Sequence, residues 1–284
     1  MAKIIAICNQ KGGVGKTTTA INLGAYLALS GKRILLIDID PQGNATSGLG
    51  INKHDLKASI YDLLMDERDP KPLIIATGIS NFSLLPSTIS LTGAEVELVG
   101  VMGREYRLKK ALSTLSTEYD FIIIDCPPSL GLLTINALAA ADSVLIPIQC
   151  EYYALEGLSQ LVNTVNLVKA NINSQLAIEG VLLTMADYRT NITNEVINEA
   201  RKFFKEKVYN TVIPRNVKLT EAPGFGKPIA LYDKMSMGAQ RYSEFADELL
   251  GIKKDSNKRQ PQIILDNTLQ DNKLENLITE GDVK

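Results

Sequence analysis

Short apolar runs alternate with longer stretches of helical periodicity along most of the chain. The runs lack regular polar alternation, which is typical of strands covered by helices on both faces. The predicted strands are Ile4–Cys8, Arg33–Ile37, Phe82–Leu85, Phe121–Ile124, Val144–Ile148, Gly180–Thr184 and Val208–Ile213. The predicted helices are Lys16–Leu29, Arg104–Ser116, Leu132–Ala140, Leu155–Lys169, Asn194–Phe204 and Ala239–Leu250. This order predicts an α/β fold with a doubly wound, mostly parallel sheet.

The pattern changes after Gly251. Residues 1–251 contain no Pro/Gly/Ser-rich linker and predict a single domain, whereas Ile252–Lys284 is polar with scattered Ile and Leu and predicts a mobile tail. The loose helical spacing of those apolar residues leaves a membrane-surface helix as an alternative. From Gln260 onward, however, the tail has two basic residues, Lys273 and Lys284, against five acidic ones. Anionic lipid would repel this balance, so we expect no membrane binding.

Composition excludes several kinds of chemistry. Among 284 residues, 30 are basic and 32 acidic, and the net charge of −2 is unlike that of a globally basic nucleic-acid binder. Cys8, Cys126 and Cys150 fit neither a disulfide framework nor a metal motif, which predicts a reduced, cytoplasmic setting. One histidine, His54, gives little scope for triads or histidine-bound metals. The apolar run Ile4–Cys8 is too short for a signal peptide.

A glycine-rich segment, Gln10–Thr18, lies between the first predicted strand and the first predicted helix. That context is required for a phosphate-binding loop, in which backbone N–H groups and the helix N-terminus bind phosphate oxygens. Lys16 should reach the β- and γ-phosphates, and the Thr17 hydroxyl should ligate Mg²⁺. The fold is therefore expected to be that of a P-loop NTPase that uses ATP and Mg²⁺. The predicted nucleotide-binding residues of the loop are Lys11, Gly12, Gly13, Val14, Gly15, Lys16, Thr17 and Thr18.

The loop has a second lysine, Lys11, which would repel Lys16 unless it turns away or is neutralised by phosphate. This suggests that Lys11 contacts a nucleotide across an interface, as an arginine finger does. Lys11–Thr18 resembles the deviant Walker A motif of the ParA/MinD ATPases. In that family the signature lysine contacts the nucleotide of the partner protomer in an ATP sandwich dimer.

Three carboxylates end two predicted strands. Asp38 and Asp40 are spaced i, i+2 and should lie on the same side beside the phosphate loop, where one could hold a metal-bound water and the other orient the attacking water. Asp125 ends an apolar strand similar to a Walker B motif and should reach Mg²⁺ through water. The resemblance assigns water activation to Asp40 and a place near the Mg²⁺ shell to Asp38. The expected catalytic residues are thus Lys11, Lys16 and Asp40.

The resemblance extends from Met1 to about Gly251 and is strongest to the short chromosomal ParA proteins often called Soj. Segments that match this subgroup are Asp40–Gly48, Asp125–Gly131, Gln149–Gly157 and Val212–Asn216. In relatives the loop at the last of these frames the adenine, so the resemblance implies base contacts by Pro214 and Asn216.

Members of this family dimerise on ATP, bind DNA without sequence preference, and are released when a centromere-binding ParB partner stimulates hydrolysis. The resemblance therefore implies a cytoplasmic, nucleoid-associated homodimer that partitions a chromosome or plasmid. An operator-binding helix-turn-helix is not expected, because only three residues precede the first strand. Two alternatives remain: a MinD-like positioning ATPase acting on protein or membrane cargo, and a metabolic P-loop enzyme such as a small-molecule kinase or amidoligase.

DNA binding by this chain would need a local basic surface. The segment from Arg189 to Lys227 has eight basic and four acidic residues, a net charge of +4, which leaves −6 for the rest. Such asymmetry suits a face that contacts phosphates. The resemblance places Arg189 and Lys218 at DNA-contact positions.

Overall fold

The computed structural model describes residues 1–151 and 158–252, and its main feature is an eight-stranded sheet in the order β3-β4-β2-β5-β1-β6-β7-β8. Seven strands run parallel, and β3 alone pairs antiparallel, with β4. The strands are β1 (Lys3–Ile7), β2 (Ile34–Asp38), β3 (Ile75–Ala76), β4 (Phe82–Leu85), β5 (Phe121–Asp125), β6 (Ser143–Gln149), β7 (Ala177–Ala186) and β8 (Val208–Pro214). This confirms the predicted fold class.

Helices connect the strands and cover both faces of the sheet. They are α1 (Lys16–Leu29), α2 (Asn44–Gly48), α3 (Ile60–Asp66), α4 (Leu91–Glu97), α5 (Arg107–Leu112), α6 (Leu132–Ala140), α7 (Leu158–Asn171), α8 (Asn191–Phe204), α9 (Val217–Glu221), α10 (Ile229–Tyr232) and α11 (Met237–Leu249). Short 3₁₀ helices occur at Lys53–Asp55, Lys71–Leu73, Leu98–Gly100, Arg104–Tyr106, Lys205–Lys207 and Ala222–Phe225. No helix in the described part of the chain is long and apolar enough to cross a membrane.

Two core layers explain why the strands read as uninterrupted apolar runs. Successive side chains of a strand point to opposite faces. In β5, Ile122 and Ile124 join the core under α3 to α8, whereas Ile123 joins the core under α1, α10 and α11. All three are fully buried, so every position of the run must be apolar.

Most predicted elements are confirmed within a few residues, and α1, α6 and β4 match the predicted bounds. One helix prediction is wrong in extent: Arg104–Ser116 divides into a 3₁₀ turn and α5, which ends at Leu112. The hydroxyls of Ser113 and Thr114 donate to the carbonyls three residues before them, an alternative to continued helical pairing. The predicted start of α7 and the predicted tail beyond Ile252 lie outside the described residues.

The strand order places the ends of β2, β5 and β1 side by side. Asp38 at the end of β2 is in register with Asp125 at the end of β5, and Asp125 is also in register with Ile7 of β1. The loop that follows β1 leads into α1. In doubly wound sheets, ligands bind in the crevice beyond these carboxyl ends.

Candidate nucleotide-binding site

The phosphate loop has the backbone conformation that its glycines permit. Gly13 and Gly15 have φ angles of 74° and 88°, in the left-handed region that residues with a Cβ avoid. α1 begins immediately afterwards at Lys16. The Thr184 hydroxyl of β7 donates to the Val14 carbonyl at 2.9 Å, and Asn9 Nδ2 donates to the Pro147 carbonyl at 2.7 Å. Two strands on the same side of β1, β6 and β7, therefore hold the loop in place.

Lys16 is buried, with 7% of its surface exposed. Its Nζ donates to the carbonyl of Lys11 at 3.2 Å. Burial lowers the pKa of this ammonium, while the charge of Asp125 acts in the opposite direction. A desolvated cation among backbone N–H groups is suited to bind phosphate oxygens.

Asp38 is fully buried, and neighbouring donors hold its carboxylate. Its Oδ2 accepts from the Thr46 backbone N–H at 2.8 Å and from the Thr46 hydroxyl at 2.7 Å. Its Oδ1 accepts from the Asp40 N–H at 3.3 Å. Burial raises the pKa of Asp38, and the two Thr46 bonds partly offset that rise. This side chain ties β2 to α2, which makes it a structural neighbour of the site.

Asp40 faces a cavity of about 450 Å³ that the phosphate loop also lines. Its Oδ1 accepts from the Gln42 N–H at 2.9 Å, and the Ser87 hydroxyl donates to its backbone carbonyl at 2.7 Å. Lys16 and Thr17 line the same cavity. The structure thus brings a carboxylate beside the cradle in which phosphates would lie.

Asp125 is the least compensated charge of the site. It is fully buried, and neither carboxylate oxygen has a hydrogen-bond partner within 3.5 Å among the residues described. Burial and, secondly, the charge of Asp38 raise its pKa well above the usual range, whereas the nearby Thr17 hydroxyl and Lys16 ammonium lower it. Burying a carboxylate without hydrogen-bond partners is unfavourable, and a bound cation would offset that cost.

The donors present suit a hard cation such as Mg²⁺, which keeps several waters and binds one or two protein oxygens plus phosphates. Thr17 and Asp125 supply oxygen ligands of this kind. No group of three or more His, Cys, Asp or Glu side chains that could hold a metal occurs in residues 1–151 and 158–252. A metal here would therefore depend on nucleotide and water for most of its ligands.

A second cavity, of about 480 Å³, lies next to the first. Pro214 and Asn216 line it together with Gly15 and Thr18 of the phosphate loop. The Asn216 side chain also caps α9, because its Oδ1 accepts from the Lys218 N–H at 3.0 Å. The two cavities share Gly15, Thr18, Met185 and Pro223 among their lining residues, so they adjoin each other beside the phosphate loop.

Lys11 does not point into the phosphate loop. Its Nζ lies 4.0 Å from Glu151 Oε2, just beyond the end of β6, and 38% of its side chain is exposed. Arg215 reaches the same carboxylate at 3.1 Å. The second lysine thus turns away towards Glu151, the first of the two outcomes that the sequence allowed.

Of the two DNA-contact candidates, Arg189 lies in the turn after β7 and Lys218 lies in α9, which follows β8. The guanidinium of Arg189 forms two hydrogen bonds to Asp187, at 2.8 and 2.6 Å, its backbone N–H forms a third at 3.1 Å, and together they lower the pKa of that carboxyl to about 2. Lys218 pairs with Glu221 at 2.9 Å. Exposed ion pairs of this kind contribute little to stability, so the cation can readily pair with another anion instead.

Sequence reasoning missed the residues that hold the site together. Thr46, Ser87 and Thr184 bind the carboxylate segments and the loop, yet nothing separates them from other buried hydroxyls in the sequence. Cys8 and Cys126, 118 positions apart, place their Sγ atoms 3.1 Å from each other because β1 and β5 are neighbours. Strand order would have revealed that contact.

The fold and this site define a P-loop nucleoside triphosphatase. A family model described as an AAA domain matches residues 2–178. The sporulation initiation inhibitor protein Soj of Bacillus subtilis is 64% identical over 249 residues, which cover 88% of this chain and 98% of Soj. The chromosome partitioning protein ParA of Myxococcus xanthus is 57% identical, covering 88% of each chain.

Solved structures agree. A crystal structure of a protein named cobyrinic acid a,c-diamide synthase from Mycobacterium smegmatis, with an ATP analogue and magnesium bound, is 39% identical. It superposes with a TM-score of 0.78 and covers 88% of this chain and 95% of its own. The chain belongs to the Soj/ParA family of P-loop ATPases.

Proposed function

We propose that this protein is a DNA-partitioning ATPase whose ATP-bound homodimer binds DNA without sequence preference. A ParB-type centromere-binding protein would stimulate hydrolysis and release the dimer. The observation that carries the proposal is the second lysine of the phosphate loop, which stands aside from its own site and is exposed enough to reach a nucleotide in a second protomer. The names of the related Soj and ParA proteins support the partitioning role.

The residues divide the chemistry among them. Lys16 and the loop amides would bind the β- and γ-phosphates, and Thr17 with Asp125 would hold Mg²⁺, which supplies charge neutralisation when bound. Asp40, which lines the phosphate cavity, would orient the attacking water. Asp38 would hold β2 and α2 together behind Asp40 and would lie near the Mg²⁺ shell. Lys11 of the partner subunit would complete the charge around the transferred phosphoryl group, so hydrolysis would require dimerisation.

The base would lie in the second cavity. Pro214 offers an apolar surface, and Asn216 retains an amide nitrogen for a hydrogen bond while its oxygen caps α9. Arg189 and Lys218 would contact DNA phosphates after leaving Asp187 and Glu221. Both belong to the +4 segment, which would locate the protein on the nucleoid.

DNA binding by the purified full chain with ATP, ADP or no nucleotide, over a salt series, tests the proposal. We expect binding with ATP alone and a linear fall of log affinity with log salt. Lys16→Ala, which removes the phosphate-binding ammonium, should abolish both nucleotide and DNA binding. Binding that is indifferent to nucleotide, or no binding at all, would overturn the proposal.

One comparison favours a second candidate, an ATP-dependent amide-forming enzyme, because the related M. smegmatis structure is named a diamide synthase. Such an enzyme needs acid-base groups for a small substrate, and the one histidine, His54, lies in an exposed 3₁₀ turn. Steady-state ATP hydrolysis separates the two. DNA should stimulate hydrolysis in a partitioning ATPase, whereas an amidoligase should respond to a small carboxylic acid and ammonia.

A further inference from the structure

Glu151, just beyond the end of β6, is the meeting point of three side chains. Its Oε1 accepts from Gln149 Nε2 at 2.6 Å and from Arg215 at 3.1 Å, and its Oε2 lies 4.0 Å from Lys11 Nζ. It is the one acidic residue that forms an ion pair with Lys11 in the described part of the chain. Glu151 thus connects the phosphate loop to the end of β8, beside the second cavity.

The phosphate loop itself explains why Lys11 needs a counter-ion. Lys16 already occupies the loop, and its Nζ donates to the carbonyl of Lys11 at 3.2 Å. A second ammonium directed into the same cradle would repel the first. Glu151 draws Lys11 away from this position and neutralises it. The cradle is left with one cation.

A lysine ammonium is a compact point charge. The Glu151 carboxylate of its own protomer and a nucleotide phosphate in another protomer would lie in different places. Lys11 cannot bind Glu151 in its own chain and reach a partner's nucleotide together. The pair is exposed, with 38% of the Lys11 and 46% of the Glu151 side chain open to solvent, so its strength is small and it can be broken. Each protomer must break one such pair when the dimer forms.

The same carboxylate also touches the other side of the site. Arg215 lines the second cavity together with Pro214 and Asn216, and its side chain is 61% exposed. When Lys11 leaves, Arg215 remains to neutralise Glu151. Glu151 therefore keeps one ion-pair partner throughout, which lowers the free-energy cost of releasing Lys11.

We propose that Glu151 is a positioning residue that holds Lys11 within its own protomer and sets the ATP-dependent dimerisation threshold by competing with the partner's nucleotide. The proposal rests on the proposed trans role of Lys11. It predicts that loss of the Glu151 charge makes dimerisation easier, whereas a residue that merely supports the fold would make it harder when replaced.

The first measurement concerns the nucleotide-free protein. Trace acylation of lysine amines, quantified by mass spectrometry, reports how accessible Lys11 Nζ is. We expect Glu151→Gln to increase Lys11 labelling about threefold, the scale of an exposed ion pair. Glu151→Asp, which retains the charge, should restore most of the protection. Glu118→Gln is the matched control, because Glu118 pairs with Lys71 before β5, at the opposite edge of the sheet.

The second measurement is the dimer dissociation constant with a slowly hydrolysed ATP analogue, by analytical ultracentrifugation of the same variants. Because two pairs are broken per dimer, and each has a roughly threefold effect, Glu151→Gln should tighten dimerisation about ninefold. Glu118→Gln should match the wild type, and all variants should share its unfolding midpoint.

Equal Lys11 labelling in wild type and Glu151→Gln, or weaker dimerisation of the variant, would overturn the role of Glu151. A wild type that stays monomeric with the ATP analogue would instead overturn the proposed dimer, and the labelling result would show whether Glu151 still holds Lys11. The two failures are therefore distinguishable.

Discussion

The three carboxylates of the site share a strand edge but not an environment. Asp38 is held by Thr46, Asp40 faces the phosphate cavity, and Asp125 is buried with no hydrogen-bond partner among the described residues. Identical side chains are thereby assigned to different tasks by what surrounds them. Cavity exposure makes Asp40 the best placed to meet a water molecule.

Replacing Asp40 by Ala should lower ATP turnover by about 10²- to 10⁴-fold, because positioned proton acceptors contribute on that scale. Nucleotide binding should persist, since Lys16 and the loop amides are untouched, and the ATP-bound dimer should accumulate on DNA. Turnover assays and gel shifts check both effects. Asp55→Ala, in an exposed 3₁₀ turn, is the control; equal turnover by wild type and Asp40→Ala would contradict the assignment.

Thr46 supports Asp38 from behind. Its hydroxyl donates to Asp38 and accepts from the Ser87 N–H at 3.0 Å. Thr46→Val removes the hydroxyl, which leaves the buried Ser87 N–H without this acceptor and Asp38 with one hydrogen bond fewer, so the free energy of unfolding should fall by about 1–3 kcal/mol. Thr46→Ser should retain most of it. Chemical denaturation is the measurement, and Thr92→Val, exposed on α4, should be nearly neutral.

At the scale of elements, two glycines let α2 approach the 3₁₀ turn Ala222–Phe225. A Cβ at Gly226 would lie 2.5 Å from Gly50 Cα, and Gly226 has a φ of 63°. Residues of both elements, Asn44 and Pro223 among them, line the phosphate cavity. The close backbone approach therefore shapes a wall of the site.

Gly226→Ala should lower the free energy of unfolding by about 1–3 kcal/mol, because overpacking and a left-handed backbone both oppose it. ATP affinity should fall as well, since the cavity wall shifts. Gly224→Ala is the matched control two residues away, where an added Cβ meets no heavy atom within 4 Å. Equal denaturation midpoints for both variants would show that the contact tolerates a methyl group.

Sequence patterns predicted the sheet well and the short helices poorly. An apolar run such as Phe121–Ile124 is specified by burial on both faces, which leaves few alternatives. α2, with five residues, and α10, with four, are too short for a helical period to be read, and tertiary contacts decide them. Strand order also escaped the sequence, although it alone brings Asp38 beside Asp125.

At the scale of the whole molecule, the charge is unevenly distributed. The net charge of −2 argues against nucleic acid, but it is the sum of a +4 segment and a −6 remainder. The phosphate loop and its carboxylates were readable because their spacing is local. The counter-ion of Lys11 was not, because Glu151 lies 140 positions away and meets it only in the fold.

Arg189→Gln and Lys218→Gln should each reduce the salt dependence of DNA binding by about one unit of slope per contact removed. Affinity should fall for all DNA sequences alike, because phosphate contacts read no sequence. Fluorescence anisotropy over a salt series provides the slope. Lys109→Gln, exposed on α5 outside the basic segment, should leave it unchanged. Slopes equal to that of the wild type would show that DNA binds to a different surface of the protein.

The orphaned Asp125 carboxylate also has a meaning for the lifetime of the protein. A buried carboxylate whose oxygens lack hydrogen-bond partners costs folding free energy, and a bound cation would offset that cost. Ligands that bind only the native state raise its stability by mass action. The melting temperature should therefore rise with magnesium nucleotide, and resistance to proteolysis with it. The lifetime of this protein in a cell would then depend on the concentration of magnesium nucleotide.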